Sequence, residues 1–89
     1  MQKLQQTLEV RGTGIPDLKA TLVERTDKKA IYLRSDDVYE VFYVQVSPEE
    51  MQFGKLYPER ETYPSNEDFG KTAWTYITPE GAHHRYIKM

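Results

Sequence analysis

Along residues 37–46, Asp-Val-Tyr-Glu-Val-Phe-Tyr-Val-Gln-Val, both alternating sets of positions are apolar. Val38, Phe42, Val44 and Val46 share one side of an extended chain, and Tyr39, Val41 and Tyr43 share the other. β-Branched and aromatic side chains lose rotamer freedom against a helical turn, so the run predicts a central strand covered on both faces. Residues 4–11 alternate Leu4, Leu8 and Val10 with Gln5, Thr7, Glu9 and Arg11, broken only by Gln6, which predicts a half-buried strand. A turn at Gly12-Thr13-Gly14 follows. Leu18, Ala20 and Leu22 then resume the period of two as far as Thr26, with Val23 adding apolar surface to the second face, and Ala30 to Arg34 forms a third strand. The gaps at Asp27-Lys28 and Ser35-Asp36 suit tight turns. Strands joined this closely pair antiparallel, because a parallel return needs a crossover of about a dozen residues or more.

Beyond the central strand the punctuation changes. Ser47-Pro48-Glu49-Glu50 combines a serine cap, a proline at the first helical position and a glutamate at the third; Val46 and Met51 flank the cap as a staple, and Gly54 is placed to stop the helix. A short helix is expected there. Residues 55–70 contain Tyr57-Pro58 and Tyr63-Pro64, whose prolines bias the tyrosines to extended backbone, and a long ordered loop is expected. Thr72 to Thr78 sets Ala73, Thr75 and Ile77 against Trp74 and Tyr76, a strand returning to the sheet. Thr78-Pro79-Glu80 then opens either a helix over 79–88, with Ala82, Tyr86 and Met89 on one stripe, or a turn into a final strand; the stripe favours the helix. The fold class predicted is α+β. It is one domain, 1–89, with a four- to five-stranded antiparallel meander, a short helix after the central strand and a C-terminal helix.

Charge and composition narrow the functional classes. Among 89 residues, 12 are basic and 14 acidic, giving a net charge of −2, so no overall positive field draws the chain to nucleic-acid phosphates or anionic lipid. Cysteine is absent, which excludes disulfides, thiolate nucleophiles and zinc–thiolate sites. No apolar run is long enough for a signal peptide or a membrane span, and a cytoplasmic, soluble protein is expected. Gly12-Thr13-Gly14 begins a G-x-G pattern, but Asp17 stands where a dinucleotide fingerprint needs its third glycine. Consecutive His83 and His84 point in different directions on a helix or a strand, so no shared metal site is expected. Ser35, Ser47 and Ser65 fit turns or caps, with no nucleophile elbow around them. No metal or cofactor is implied.

Three functional readings follow. In the first, the loop from Tyr57 to Gly70, with Trp74 at its base, binds another protein through Tyr57, Arg60, Tyr63, Asn66, Glu67, Asp68 and Trp74, without catalysis. Tyrosines are amphipathic anchors there, and prolines lower the ordering cost of binding. In the second, Tyr32, Arg34, Tyr39 and Tyr43 share an open sheet face that stacks single-stranded nucleic acid, a reading the charge disfavours. In the third, Glu40, on the apolar Val38–Phe42–Val44 side, has its pKa raised by desolvation and serves a small enzyme; a pairing with Lys29 or Arg34, or contact with water, is the structural counter-reading. Tyr63-Pro64, Asn66-Glu67-Asp68-Phe69-Gly70 and Ala73-Trp74 resemble short uncharacterised bacterial proteins carried on mobile genetic elements. The resemblance covers about the C-terminal two-thirds of the chain and implies no activity, cofactor or catalytic residue.

Overall fold

A computed structural model of the chain describes residues 1–10 and 14–89. The elements run β1 (Thr7–Glu9), β2 (Lys19–Arg25), β3 (Lys29–Arg34), β4 (Tyr39–Tyr43), β5 (Gln45–Ser47), β6 (Glu50–Gln52), β7 (Lys55–Tyr57), β8 (Arg60–Thr62), a 3-10 turn at Asn66–Asp68, β9 (Ala73–Tyr76) and α1 (Pro79–Lys88). Most of the turn expected at Gly12-Thr13-Gly14 lies outside the described residues. Five strands pair antiparallel in the order β1-β2-β3-β4-β9, the local meander that the tight turns dictate. The class is therefore α+β.

Alternation sorts the side chains into two cores. Tyr32 of β3 stands opposite Glu40 of β4, and Ala30 opposite Phe42, so all four share a face. There Val10, Leu18, Ala20 and Ala73 join them in a buried cluster, and Leu4, Tyr63 and Phe69 lie over it from outside the sheet. Ile31 and Val41 face the other way, onto Ala82 and Tyr86 of α1. That helix begins as its sequence predicts: the Thr78 hydroxyl accepts from the Gly81 amide at 3.1 Å, and Pro79 fills the first helical position. At the far end Lys29 donates to the Tyr86 carbonyl at 2.7 Å, joining the Met89 amide on that acceptor of the last turn. β2 carries a bulge between Leu22 and Glu24, where Val23 is left half exposed.

The short helix expected at Ser47-Pro48-Glu49-Glu50 does not form. Ser47 ends β5, paired with Arg60, and Met51 pairs with Leu56 across β6 and β7. Gly54 is a hairpin turn residue, not a helix stop. About one and a half turns of helix closes too few hydrogen bonds to repay nucleation, whereas residues 45–52 find strand partners in 55–62. Within the stretch 55–70, expected as loop, Lys55–Tyr57 and Arg60–Thr62 are consequently strand. The two ladders keep one register across a break where Pro48 and Glu49 face Pro58 and Glu59. Proline cannot donate to a ladder, so Pro48, opposite Glu59, and Pro58, opposite Glu49, interrupt one long hairpin without shifting it. We call residues 44–63 the arm.

Candidate functional site

The arm leaves the sheet where β4 ends. Its outer ladder, β6 with β7, packs chiefly on itself, and the molecule is elongated, 45 × 30 × 22 Å. Phe53 and Gly54 form the two-residue tip with φ of 52° and 75°. A turn with both central residues at positive φ matches the twist of a hairpin and favours Asn-Gly or Asp-Gly. Phenylalanine in that conformation is an outlier that costs about 1 kcal/mol. It is also fully exposed, and the cross-strand pair Met51 and Leu56 beside it exposes more than half of its surface, while Val46, half exposed, lies farther back on β5. Charges stand behind the tip: Glu50 pairs with Arg60 at 3.8 Å, and Lys55 and Arg60 lie near the Tyr57 ring. The clue in the sequence was Phe-Gly midway between two stretches of equal length, each broken by a proline.

A second candidate is built around Glu40, which burial in the first core isolates from water. Tyr63, at the base of the arm, reaches over the sheet and donates its hydroxyl to Glu40 Oε1. Its ring packs edge-on to Tyr32 and Phe42, with centroids 5.4 and 4.9 Å away. Arg34 comes within 3.7 Å of Glu40 Oε2, but its Nε and Nη2 donate to Asp36 at 2.9 and 2.5 Å. Burial pushes the Glu40 carboxyl above its ordinary range, opposed by Tyr63 and Arg34. Burial, reinforced by the adjacent carboxylate, raises Tyr63. Arg34, Glu40, Asn66, Phe69 and Thr75 line a shallow recess of about 220 Å³ above this network. Both histidines lie on α1, across the sheet, and cannot serve Glu40 as acid or base.

A third buried cluster had no signal in the sequence. Glu61 of β8 receives both terminal nitrogens of Arg25, at 2.7 and 2.9 Å, and the Leu4 amide at 2.9 Å. Gln2 bridges alongside Arg60, its amide donating to Glu59 and its carbonyl accepting from Glu61. Glu61 thus fastens the N-terminal segment, the end of β2 and the arm together. The Arg25 hydrogen bonds hold its carboxyl down to about 2.

The residues expected to bind a protein partner do not form one surface. Tyr57 and Arg60 are on the arm, Tyr63 is packed in the core, and Asn66–Asp68 form a 3-10 turn closed by Asp68 accepting from the Ser65 amide at 2.8 Å. Trp74 lies across the sheet beside α1, with the Arg85 guanidinium 4.5 Å over its ring and Tyr43 at its edge. The four-residue nucleic-acid platform is not formed either. Tyr32 is fully buried on one face with Arg34, whereas Tyr39 and Tyr43 are on the other. Strand parity and the observed register forbid any other arrangement.

On the helix face, α1 stands over β3, β4 and β9 and leaves β2 uncovered. The gap is a recess of about 380 Å³ walled by Val23, Ile31, Leu33, Tyr39, Pro79 and Ala82, with Glu24 and His83 completing its lining. Among the described residues no group of three or more metal-ligating side chains is gathered, and no helix is long and apolar enough to cross a membrane. No family model, curated protein or solved structure matches the chain.

Proposed function

We propose that this chain is a non-catalytic protein-binding module of the cytoplasm, and that it meets its partner through the arm. The observation that carries the reading is the apolar tip: Met51, Phe53 and Leu56 are exposed together at the end of a ribbon whose outer ladder has little support from the rest of the fold. A two-stranded hairpin is marginally stable in water on its own. Covering these side chains would return about 25 cal/mol for each Å² removed from water. Tyr57 and Arg60 remain in the contact surface as amphipathic and charged flanks. Tyr63 supports the arm from its base. The tip brings one cation beside its apolar residues, and the chain's net charge is negative, so a protein surface suits it better than a phosphate backbone.

The test is capture from the native cell on immobilised protein, comparing wild type with Phe53→Ser and with Met51→Ser combined with Leu56→Ser. The expected outcome is loss of the specifically retained proteins while thermal midpoints stay within a few degrees. Unchanged retention by both variants would remove the arm from the contact.

A further inference from the structure

We infer that the occupant of the arm's tip is a second copy of this chain, with Phe53 of one copy seated in the recess between α1 and the β2–β3 hairpin of the other. The inference rests on the reading of the arm as a contact surface, and it names the partner. The recess, about 380 Å³ and predominantly apolar, is near the lower end of the range for ligand cavities and suits one aromatic side chain with its neighbours. A recess at the β1 edge is lined by Gln5, Thr7, Leu8, Glu9 and Lys19. One under the N-terminal segment is smaller, at about 200 Å³, and borders the Arg60–Glu61 stretch of the arm itself, and that over Glu40 holds the Arg34–Glu40 ion pair. Charge matches as well as polarity. Glu24 lines the recess and Glu80 follows Pro79 in the first turn of α1, while Lys55 is the charge nearest the tip in sequence. The arm's acids sit farther back, with Glu50 held by Arg60 and Glu49 and Glu59 at the proline break. Docking would bury the fully exposed Phe53 and the half-exposed Val23 together.

Each copy supplies one tip and one recess; used reciprocally, they close a twofold pair in which each contact occurs twice, whereas a one-way contact would propagate beyond two copies. Sedimentation equilibrium of the purified chain over a rising concentration series tests this directly. The wild type should climb from the monomer mass toward twice it. Phe53→Ser, which spoils the tip, and Val23→Asp, which spoils the recess, should each stay monomeric across the series with unchanged circular dichroism. Mixed together they should associate, because Val23→Asp keeps a working tip and Phe53→Ser a working recess. A wild type that stays monomeric throughout overturns the inference, as does undiminished association of Val23→Asp, which would mean the tips meet each other. If the wild type is monomeric while capture from the cell still depends on Phe53, self-docking alone has failed; if capture is also indifferent to Phe53, the arm reading fails with it.

Discussion

Arg25–Glu61 and Arg34–Glu40 are built from the same two side chains, both with a buried glutamate, yet they are opposite in electrostatic character. Glu61 takes both terminal nitrogens of one guanidinium in a two-point contact, plus a backbone amide. Glu40 shares its guanidinium with Asp36, which takes the short hydrogen bonds and leaves Glu40 an ion pair at 3.7 Å and a tyrosine hydroxyl. The carboxyl is held low in the first case and pushed high in the second. Both glutamates are shielded from water, but Glu40 lies deeper in the core, where desolvation outweighs its donors, whereas at Glu61 the Arg25 hydrogen bonds come first. Desolvation acts on each; only Glu61 receives enough directed charge to outweigh it.

The largest expected effect comes from breaking the satisfied pair. Glu61→Ala leaves Arg25 largely buried without its anion and the Leu4 amide without its acceptor, and should destabilise the fold by about 3 kcal/mol or more. Chemical denaturation at neutral pH checks this. A loss under 1 kcal/mol would mean the contact is a surface ion pair in energetic terms. Acid offers an independent check on the same pair. The folded carboxyl titrates near 2 against an ordinary 4.5, so the unfolded chain takes up the proton first as pH falls. The stabilisation is whole above pH 4.5 and drains away toward pH 2, roughly 3 kcal/mol in total. Glu61→Gln should lack that acid-sensitive component.

Glu40 should show the reverse dependence at smaller amplitude. Its raised pKa favours the protonated form in the fold, so its contribution is fully present below the ordinary carboxylate range and is lost as pH rises through the folded pKa. Glu40→Gln keeps an acceptor for Tyr63 and cannot ionise. The variant should therefore gain stability relative to wild type as pH is raised from 4 to 8, read from urea midpoints at each pH. Parallel curves for the two proteins would contradict the raised pKa. The same measurement bears on the enzyme reading, which needs an activity that falls in Glu40→Gln without loss of fold.

What the sequence made legible follows the range of the interactions involved. The meander and α1 were readable because tight turns, the Thr78 cap and the Ala82–Tyr86 stripe are all local. Residues 47–54 were misread for the same reason: Ser-Pro-Glu-Glu with a later glycine satisfies helix rules locally, while the deciding partners, Leu56, Tyr57 and Arg60, lie beyond the turn. Glu40 stood out in the sequence because its own strand predicts the burial. Glu61 did not, since Arg25 is 36 residues away and the N-terminal segment that completes its shell lies farther still. The proposed nucleic-acid platform failed on register, where Tyr32 opposite Glu40 puts Tyr39 on the other face.

The finest test of the comparison alters neither glutamate. If Glu40 is high because Asp36 holds the guanidinium, then Asp36→Asn should release Arg34 to close the 3.7 Å gap, and the Glu40 carboxyl should titrate lower than in wild type. Asp36 is partly exposed, so its pair with Arg34 is worth little in stability, and the unfolding free energy should change by less than about 1 kcal/mol. The electrostatic response is nevertheless directed, because neutralising Asp36 frees the Arg34 nitrogens that now donate to it and leaves Glu40 as the carboxylate beside them. Carbon-detected NMR of the glutamate side chains across a pH series separates Glu40 from the exposed acids by its raised midpoint. A lower midpoint in Asp36→Asn, with Glu61 unmoved, would make Glu40 resemble Glu61 by counter-charge alone. An unchanged midpoint would show that Arg34 is held by packing and not by Asp36, and that burial sets the Glu40 carboxyl whatever Asp36 does.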